Sequence, residues 1–333
     1  MSHRIGVLGS GSWGTALAVH LAGTGHDVRL WARDASLASA MASSRENRHY
    51  LPGIALPAAL HPTADLATAL AAAQFVVVAV PSHGVRSVAR AAAAHLPVRC
   101  AVVSATKGLE EHSLLRMSEV LRQELPNCGE LVVLSGPSFA GELARTLPTA
   151  LVAAGGSGAV VEAVMAHFRS PALRLYGSSD VIGVELGGSL KNIIAIAAGV
   201  VEGLGLGHNA LAALITRGLA ELSRLAVALG AQPATLSGLA GLGDLVLTCT
   251  GDLSRNRKLG LALAGGQSLH EFLAQTRMVA EGVRTTAAAL ALSARHGIEL
   301  PIASGMSDVL AGRCDAQTAI RNLMGRKQKL EHA

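Results

Sequence analysis

Aromatic side chains are almost missing from this 333-residue sequence: Phe, Trp and Tyr together make up 2% of it. Ala, Leu, Val and Gly must therefore fill the interior, and the stacking platforms on which single-stranded nucleic acid rests are absent. Cysteine is equally sparse. Cys100, Cys128, Cys249 and Cys314 form no CxxC pair and have no neighbouring His at metal-ligand spacing, which predicts reduced structural thiols and no metal site. No apolar run approaches the roughly 20 residues that a membrane span requires; the longest, over 193–201, is bracketed by Lys191 and Glu202. The opening MSHRIGV passes directly into a strand-like run without a signal-peptide core, so a cytoplasmic protein is expected. A net charge of +5 favours anionic ligands. The basic residues are nevertheless dispersed, only Arg326, Lys327 and Lys329 approach a patch, and no nucleic-acid partner is expected.

What is present begins at residue 5. A strand-like run over 5–8 leads into Gly9-Ser10-Gly11-Ser12-Trp13-Gly14, and an Ala-rich helical stretch follows. In such a strand-turn-helix Gly9 permits the tight turn, Gly11 lets the backbone approach a pyrophosphate, and Gly14 lets the helix pack on the strand. Val-rich runs predict further strands over 26–32, 75–80, 101–104 and 131–134, with helical patterns between several of them, as over 85–95 and 114–125. Runs over 150–154 and 173–176 extend the same sheet. This alternation predicts an α/β, Rossmann-type, doubly wound parallel sheet over 1–184. From Glu185 onward the pattern is helical. Leu211, Leu214, Ile215, Leu222, Leu225 and Leu229 share one helical face, and Ser268-Leu269-His270-Glu271 has the form of a capping box. Helical patterns over 285–296 and 305–311 complete an all-helical second domain over 185–333.

The second strand ends Ala32-Arg33-Asp34. Arg33 is placed to pair with a ribose 2′-phosphate and Asp34 to serve a ribose hydroxyl, which favours NADP with NAD tolerated. Four later segments combine polar groups with small residues. Lys107, in Ala105-Thr106-Lys107-Gly108, follows a predicted strand and faces the ligand edge of the sheet. Gly136-Pro137-Ser138-Phe139-Ala140 also follows a strand. Lys191 and Asn192 precede a strongly apolar helical run, so Lys191 is drawn inside, where burial lowers a lysine pKa toward the range useful for proton transfer. Asp244 and Thr248 sit one helical turn apart, and Ser254-Arg255-Asn256 is a compact donor set for a phosphate. Each has a plain structural alternative: a solvated or snorkelling lysine, a Gly-Pro turn, a helix cap. A dehydrogenase of hydroxy or keto acids and a nucleotide sensor without turnover both remain open on these residues alone.

Taken together, GSGSWGTALA, NRHYLPG from Asn47, ATKGLE, GPSFAGE, LKNIIAIAAGVVEGLGLGHNALAALITRGLAEL from Leu190, LAGLGDLVLTCTGDLSRNRKLG from Leu239 and VAEGVRT from Val279 resemble the bacterial NAD(P)-dependent sn-glycerol-3-phosphate dehydrogenases. The match keeps order and spacing over nearly the whole chain. It implies a helical second domain like that of 6-phosphogluconate dehydrogenase, a phosphorylated substrate, and the reversible reduction of dihydroxyacetone phosphate to sn-glycerol 3-phosphate for phospholipid synthesis. It also implies roles. Lys191 is the proton donor or acceptor, Asp244 orients it, and Asn192 and Thr248 stand nearby. Lys107 meets both coenzyme and substrate, while Gly136, Ser138, Ser254, Arg255 and Asn256 surround the substrate. Ser12, Trp13, Arg33, Ala140, Arg255, Val279 and Glu281 line the coenzyme. Helical second domains of this kind often associate, so a homodimer is expected.

Overall fold

The Val-rich runs become the inner strands of one sheet, seen in a computed structural model that describes residues 2–275, 281–328 and 330. Its strands are β1 (Arg4–Leu8), β2 (Asp27–Trp31), β3 (Leu60–Thr63), β4 (Phe75–Val78), β5 (Ala101–Ser104), β6 (Leu131–Ser135), β7 (Thr149–Gly155) and β8 (Leu173–Ser178). They lie in the order β3-β2-β1-β4-β5-β6-β7-β8. β1 to β6 run parallel, with Ile5 paired to Val28 on one side and to Phe75 on the other. The order reverses between β1 and β4, the position at which such sheets bind ligands beyond their carboxyl ends. Because helices cover both faces, β4 and β6 are buried along their whole length, and this is why they read as continuous apolar runs.

Two features depart from the expected all-parallel sheet. β7 runs antiparallel to β6, and β8 is parallel to β7. Between β6 and β7 the chain has only residues 136–148 with the short helix Ala140–Ala144; an antiparallel return needs no full crossover, so this is enough. The sequence reading also missed β3. Leu60-His61-Pro62-Thr63 is short and carries a proline, which a sheet tolerates at an edge, and β3 is one of the two edge strands.

The chain divides into two compact units: residues 1–188 with 231–244, and residues 189–230 with 245–333. This differs from a single cut after residue 184. The helix Val181–Gly203 begins in the first unit, where Glu185 accepts hydrogen bonds from Ser118 N, Ser118 Oγ and Arg116. The stretch 231–244 belongs to that unit as well, with Gln232 N donating to Asp180 at 2.9 Å. Among its described residues the second unit is helical throughout, with Gly207–Ala228, Arg255–Ala264, Glu281–His296, Pro301–Leu310 and Ala316–Met324 as its main helices. The capping box forms as read: Ser268 N and Oγ both donate to Glu271 Oε2 at 2.7 Å, and Glu271 N donates to Ser268 Oγ at 3.2 Å. The helix Val181–Gly203 has the length and composition of a membrane span, but 89% of its apolar window is buried inside the fold, as expected of a core helix.

Candidate active site

The glycine-rich turn leads out of β1. Gly9 has φ 116°, and a Cβ there would lie 2.7 Å from the Ala79 carbonyl. A Cβ on Gly14 would run into the Gly9 carbonyl, whereas no described residue lies within 4 Å of the place a Gly11 Cβ would take. The turn is thus closed behind Gly9 and Gly14 and open in front of Gly11, at the start of the helix Ser12–Gly23. Trp13 Nε1 is buried there without a hydrogen-bond partner among the described residues. An open backbone, a helix N-terminus and an unused donor suit the pyrophosphate of a dinucleotide. At the end of β2, Asp34 is already employed: its carboxylate accepts from Ser36 N at 2.8 Å and Ser36 Oγ at 2.7 Å and caps the helix Ala35–Ser44. The Ser36 hydroxyl and amide hold its carboxyl below the ordinary range. Arg33 beside it is exposed.

Beyond the carboxyl ends of β5 and β6, four of the expected residues come together within the first unit. Thr106 Oγ1 donates to the Val80 carbonyl at 2.8 Å, fixing the segment after β5. Gly136, with φ 135°, turns its carbonyl to Lys107. Lys107 Nζ donates to Gly136 O at 2.9 Å, to Ser138 Oγ at 3.4 Å and to Asp244 Oδ2 at 2.6 Å. Asp244 is 1% exposed, so the pair gains from low dielectric what it lost in hydration only because the geometry is close. Gly188 leaves the space this needs, since a Cβ there would strike the Ser135 hydroxyl and stand 3.6 Å from the Lys107 side chain. Ser104 Oγ and Ser135 Oγ, at the strand ends beside this cluster, are buried with no hydrogen-bond partner among the described residues.

A second group forms within the other unit. Lys191 is 6% exposed, and its Nζ donates to Thr248 Oγ1 at 2.5 Å. Asn256 Nδ2 donates to Asn192 Oδ1 at 2.9 Å, and Asn256 Oδ1 accepts from Gly282 N at 3.1 Å. Ser254 caps the helix Arg255–Ala264, its Oγ accepting from Arg257 N at 3.2 Å. Of the triad read as a phosphate donor set, Ser254 caps the helix, Asn256 joins Asn192 to the Gly282 amide, and Arg255 is the exposed member. Ala140 opens the short helix after Ser138; Val279 lies outside the described residues. Two buried residues with a structural part elsewhere in the first unit went unread: Glu185, which accepts from Arg116 and Ser118, and Asn47, quoted only within a motif, which bonds Ser10 and Thr15. An isolated polar residue between a helix and a Pro-Gly turn carries no local signal of what it binds. Among the described residues no group of three or more His, Cys, Asp or Glu is placed to hold a metal ion.

Residues 4–160 match the family model for the N-terminus of NAD-dependent glycerol-3-phosphate dehydrogenase, and residues 180–321 match the model for its C-terminus. The chain belongs to the NAD-dependent glycerol-3-phosphate dehydrogenase family. It is 50% identical over 333 residues to a protein of Citrifermentans bemidjiense named glycerol-3-phosphate dehydrogenase (NAD(P)+), covering 99% of each chain. A protein of Moorella thermoacetica with the same name is 51% identical over 310 residues, covering 93% of this chain and 92% of its relative. The crystal structure of a glycerol-3-phosphate dehydrogenase from Coxiella burnetii superposes with a TM-score of 0.93 at 40% identity, covering 98% of this chain and 99% of that one.

Proposed function

We propose that this oxidoreductase reduces dihydroxyacetone phosphate to sn-glycerol 3-phosphate, reversibly, and so supplies the backbone of glycerophospholipids. The observation that carries the reading is Lys191, a lysine 6% exposed on the core helix and hydrogen-bonded to Thr248. An ammonium group is strongly hydrated, so keeping one inside is a cost that a proton-transfer task explains. The bound coenzyme supplies a hydride to the C2 carbon. As it arrives, negative charge grows on the ketone oxygen; Lys191 stabilises that charge and donates the proton, an interaction stronger in the transition state than before it. Thr248 holds Nζ in place, with Asn192 next to it in sequence. Asp244 balances the charge of Lys107, whose ammonium, with Gly136 and Ser138, forms the polar group that meets coenzyme and substrate. The substrate phosphate goes to Arg255 at the N-terminal end of its helix, where unpaired backbone N–H groups favour an anion. That remote contact helps orient the ketone.

NADP is the preferred coenzyme in this proposal and NAD is accepted, because Asp34 is committed to its helix cap while Arg33 is exposed at the same strand end. A cytoplasmic setting is supported by the sparse, scattered cysteines, one of which, Cys100, has its thiol pKa pushed up to about 12 by burial. The proposed homodimer is tested by light scattering. For the reaction, NADPH and NADH oxidation is followed with dihydroxyacetone phosphate and with unphosphorylated dihydroxyacetone. Fast turnover of the phosphorylated ketone alone is expected, with NADPH ahead of NADH; equal rates with both ketones would remove the phosphate from the reading.

A further inference from the structure

The run Asn47-Arg48-His49-Tyr50 belongs to no strand or helix, yet Asn47 is 0% exposed. Its side chain reaches into the glycine-rich turn. Nδ2 donates to Ser10 O and to Thr15 Oγ1, each at 2.8 Å, and Oδ1 accepts from Tyr50 N at 3.1 Å. Thr15 Oγ1 in turn donates to the same Ser10 carbonyl at 3.2 Å. From the turn, Ser12 Oγ donates to Tyr50 O at 2.7 Å. The loop that carries Asn47 is itself closed. Glu46 accepts from Gly53 N at 2.7 Å and from Arg48 at 3.2 Å, and the Arg45 guanidinium donates to the Leu56 and Pro57 carbonyls.

The consequence follows from the planarity of the peptide bond. Across a trans peptide the carbonyl and the following N–H point in opposite directions. Two donors pin the Ser10 carbonyl on the buried side, so the Gly11 N–H is aimed the other way, and among the described residues nothing crowds the Cβ position of Gly11. We propose that Asn47 is a positioning residue for the coenzyme: it locks the Ser10–Gly11 peptide so that the Gly11 N–H already faces the pyrophosphate site before coenzyme arrives. The proposal rests on the reading of this turn as the coenzyme site. A donor fixed in advance costs nothing to orient on binding, so the lock acts on affinity more than on the chemical step.

The test uses the full-length protein and three variants, Asn47→Leu, Asn47→Asp and Thr15→Val. Asn47→Leu removes every side-chain hydrogen bond of Asn47, Asn47→Asp keeps the acceptor for Tyr50 N and loses both donated bonds, and Thr15→Val removes both hydroxyl contacts but leaves Asn47 Nδ2 on the Ser10 carbonyl. Backbone hydrogen exchange is followed without coenzyme, and the Kd for NADPH is measured by tryptophan fluorescence. Both Asn47 variants are expected to weaken NADPH binding about tenfold or more, and Thr15→Val by roughly threefold. Amides over 9–15 should exchange faster while those of β4 and β5 stay protected, and kcat at saturating NADPH should fall far less than affinity. Should Asn47→Leu fail to fold, Asn47→Asp and Thr15→Val carry the same test. An unchanged NADPH Kd, or exchange that rises equally across the whole sheet, overturns the lock. Exchange confined to the turn in a protein that binds neither NADPH nor NADH would uphold the lock and overturn the coenzyme reading instead.

Discussion

A lysine is kept inside a protein only where something there needs its charge or its proton, and for Lys191 the need proposed above is the developing oxyanion. Lys191→Ala should lower kcat about 10²-fold or more while NADPH binds nearly as before; retained turnover would defeat the assignment. Thr248→Val deletes the 2.5 Å acceptor of Nζ but leaves the lysine, so a loss nearer tenfold is expected from one buried hydrogen bond. Arg255→Ala should raise KM for dihydroxyacetone phosphate much more than KM for NADPH, and equal small changes would end its phosphate role. Part of this scale was legible: the apolar flank of Lys191 predicted its burial, which the structure has. The partnership of Lys107 with Asp244 was not, because it joins residues 137 apart in sequence and no periodicity reports it. Asp34, Ser254 and Asn256 each have a structural partner that the sequence did not reveal, for a related reason. Short polar side chains serve helix ends and ligands with the same atoms, and only coordinates tell which they bind.

Helix interiors normally prefer Ala to Gly by about 0.5–1 kcal/mol, yet the helices Val181–Gly203 and Arg255–Ala264 cross through Gly199 and Gly260. A Cβ on Gly199 would strike the Arg257 carbonyl, and one on Gly260 would strike the Ile196 carbonyl. Backbone cannot step aside as a side-chain tip does. Overpacking of this kind costs about 1–3 kcal/mol or more, which outweighs the gain in helix propensity, so Gly199→Ala and Gly260→Ala should each lower Tm. Gly158 is the control: it opens the helix Gly158–Phe168 with nothing within 4 Å, and Gly158→Ala should be neutral or slightly stabilising. A Gly199→Ala melt indistinguishable from wild type would mean the crossing is loose. The elements themselves were read well wherever burial on both faces produced an unbroken apolar run, as in β4, β5 and β6. Where pairing rather than composition decides, the reading ran out. β3 is held by its register with β2, Val28 opposite Leu60, and the direction of β7 is set by a connection that looks like any other Gly-Pro turn.

For the molecule as a whole, acid stability is set by two populations of carboxyl groups that act in opposite senses. Glu185 and Glu221 are buried at the starts of the helices Met117–Glu124 and Pro301–Leu310, and burial raises both pKa values. Their contribution is full below the ordinary glutamate range and is lost as pH rises through the folded values. Glu124 is the reverse. Hydrogen bonds from Arg90 and then Arg86 hold it at about 2, against an ordinary 4.5, and the same Arg86 depresses Glu110. A lowered folded pKa gives stability that is complete above the unfolded value and disappears as pH falls through the folded one. The first unit should therefore lose stability between about pH 4.5 and 2. Tryptophan emission isolates that unit, since Trp13 and Trp31 both lie in it, which matters because a chain of two compact units need not unfold in one step. Urea melts of wild type and Glu124→Gln, followed by fluorescence from pH 7 downward, should show the variant less stable at neutral pH and the gap closing as Glu124 is protonated in both folded and unfolded wild type. A gap that stays constant down to pH 2 would mean the two arginines merely lie beside Glu124, and the acid limit of the first unit would then have to come from other carboxylates.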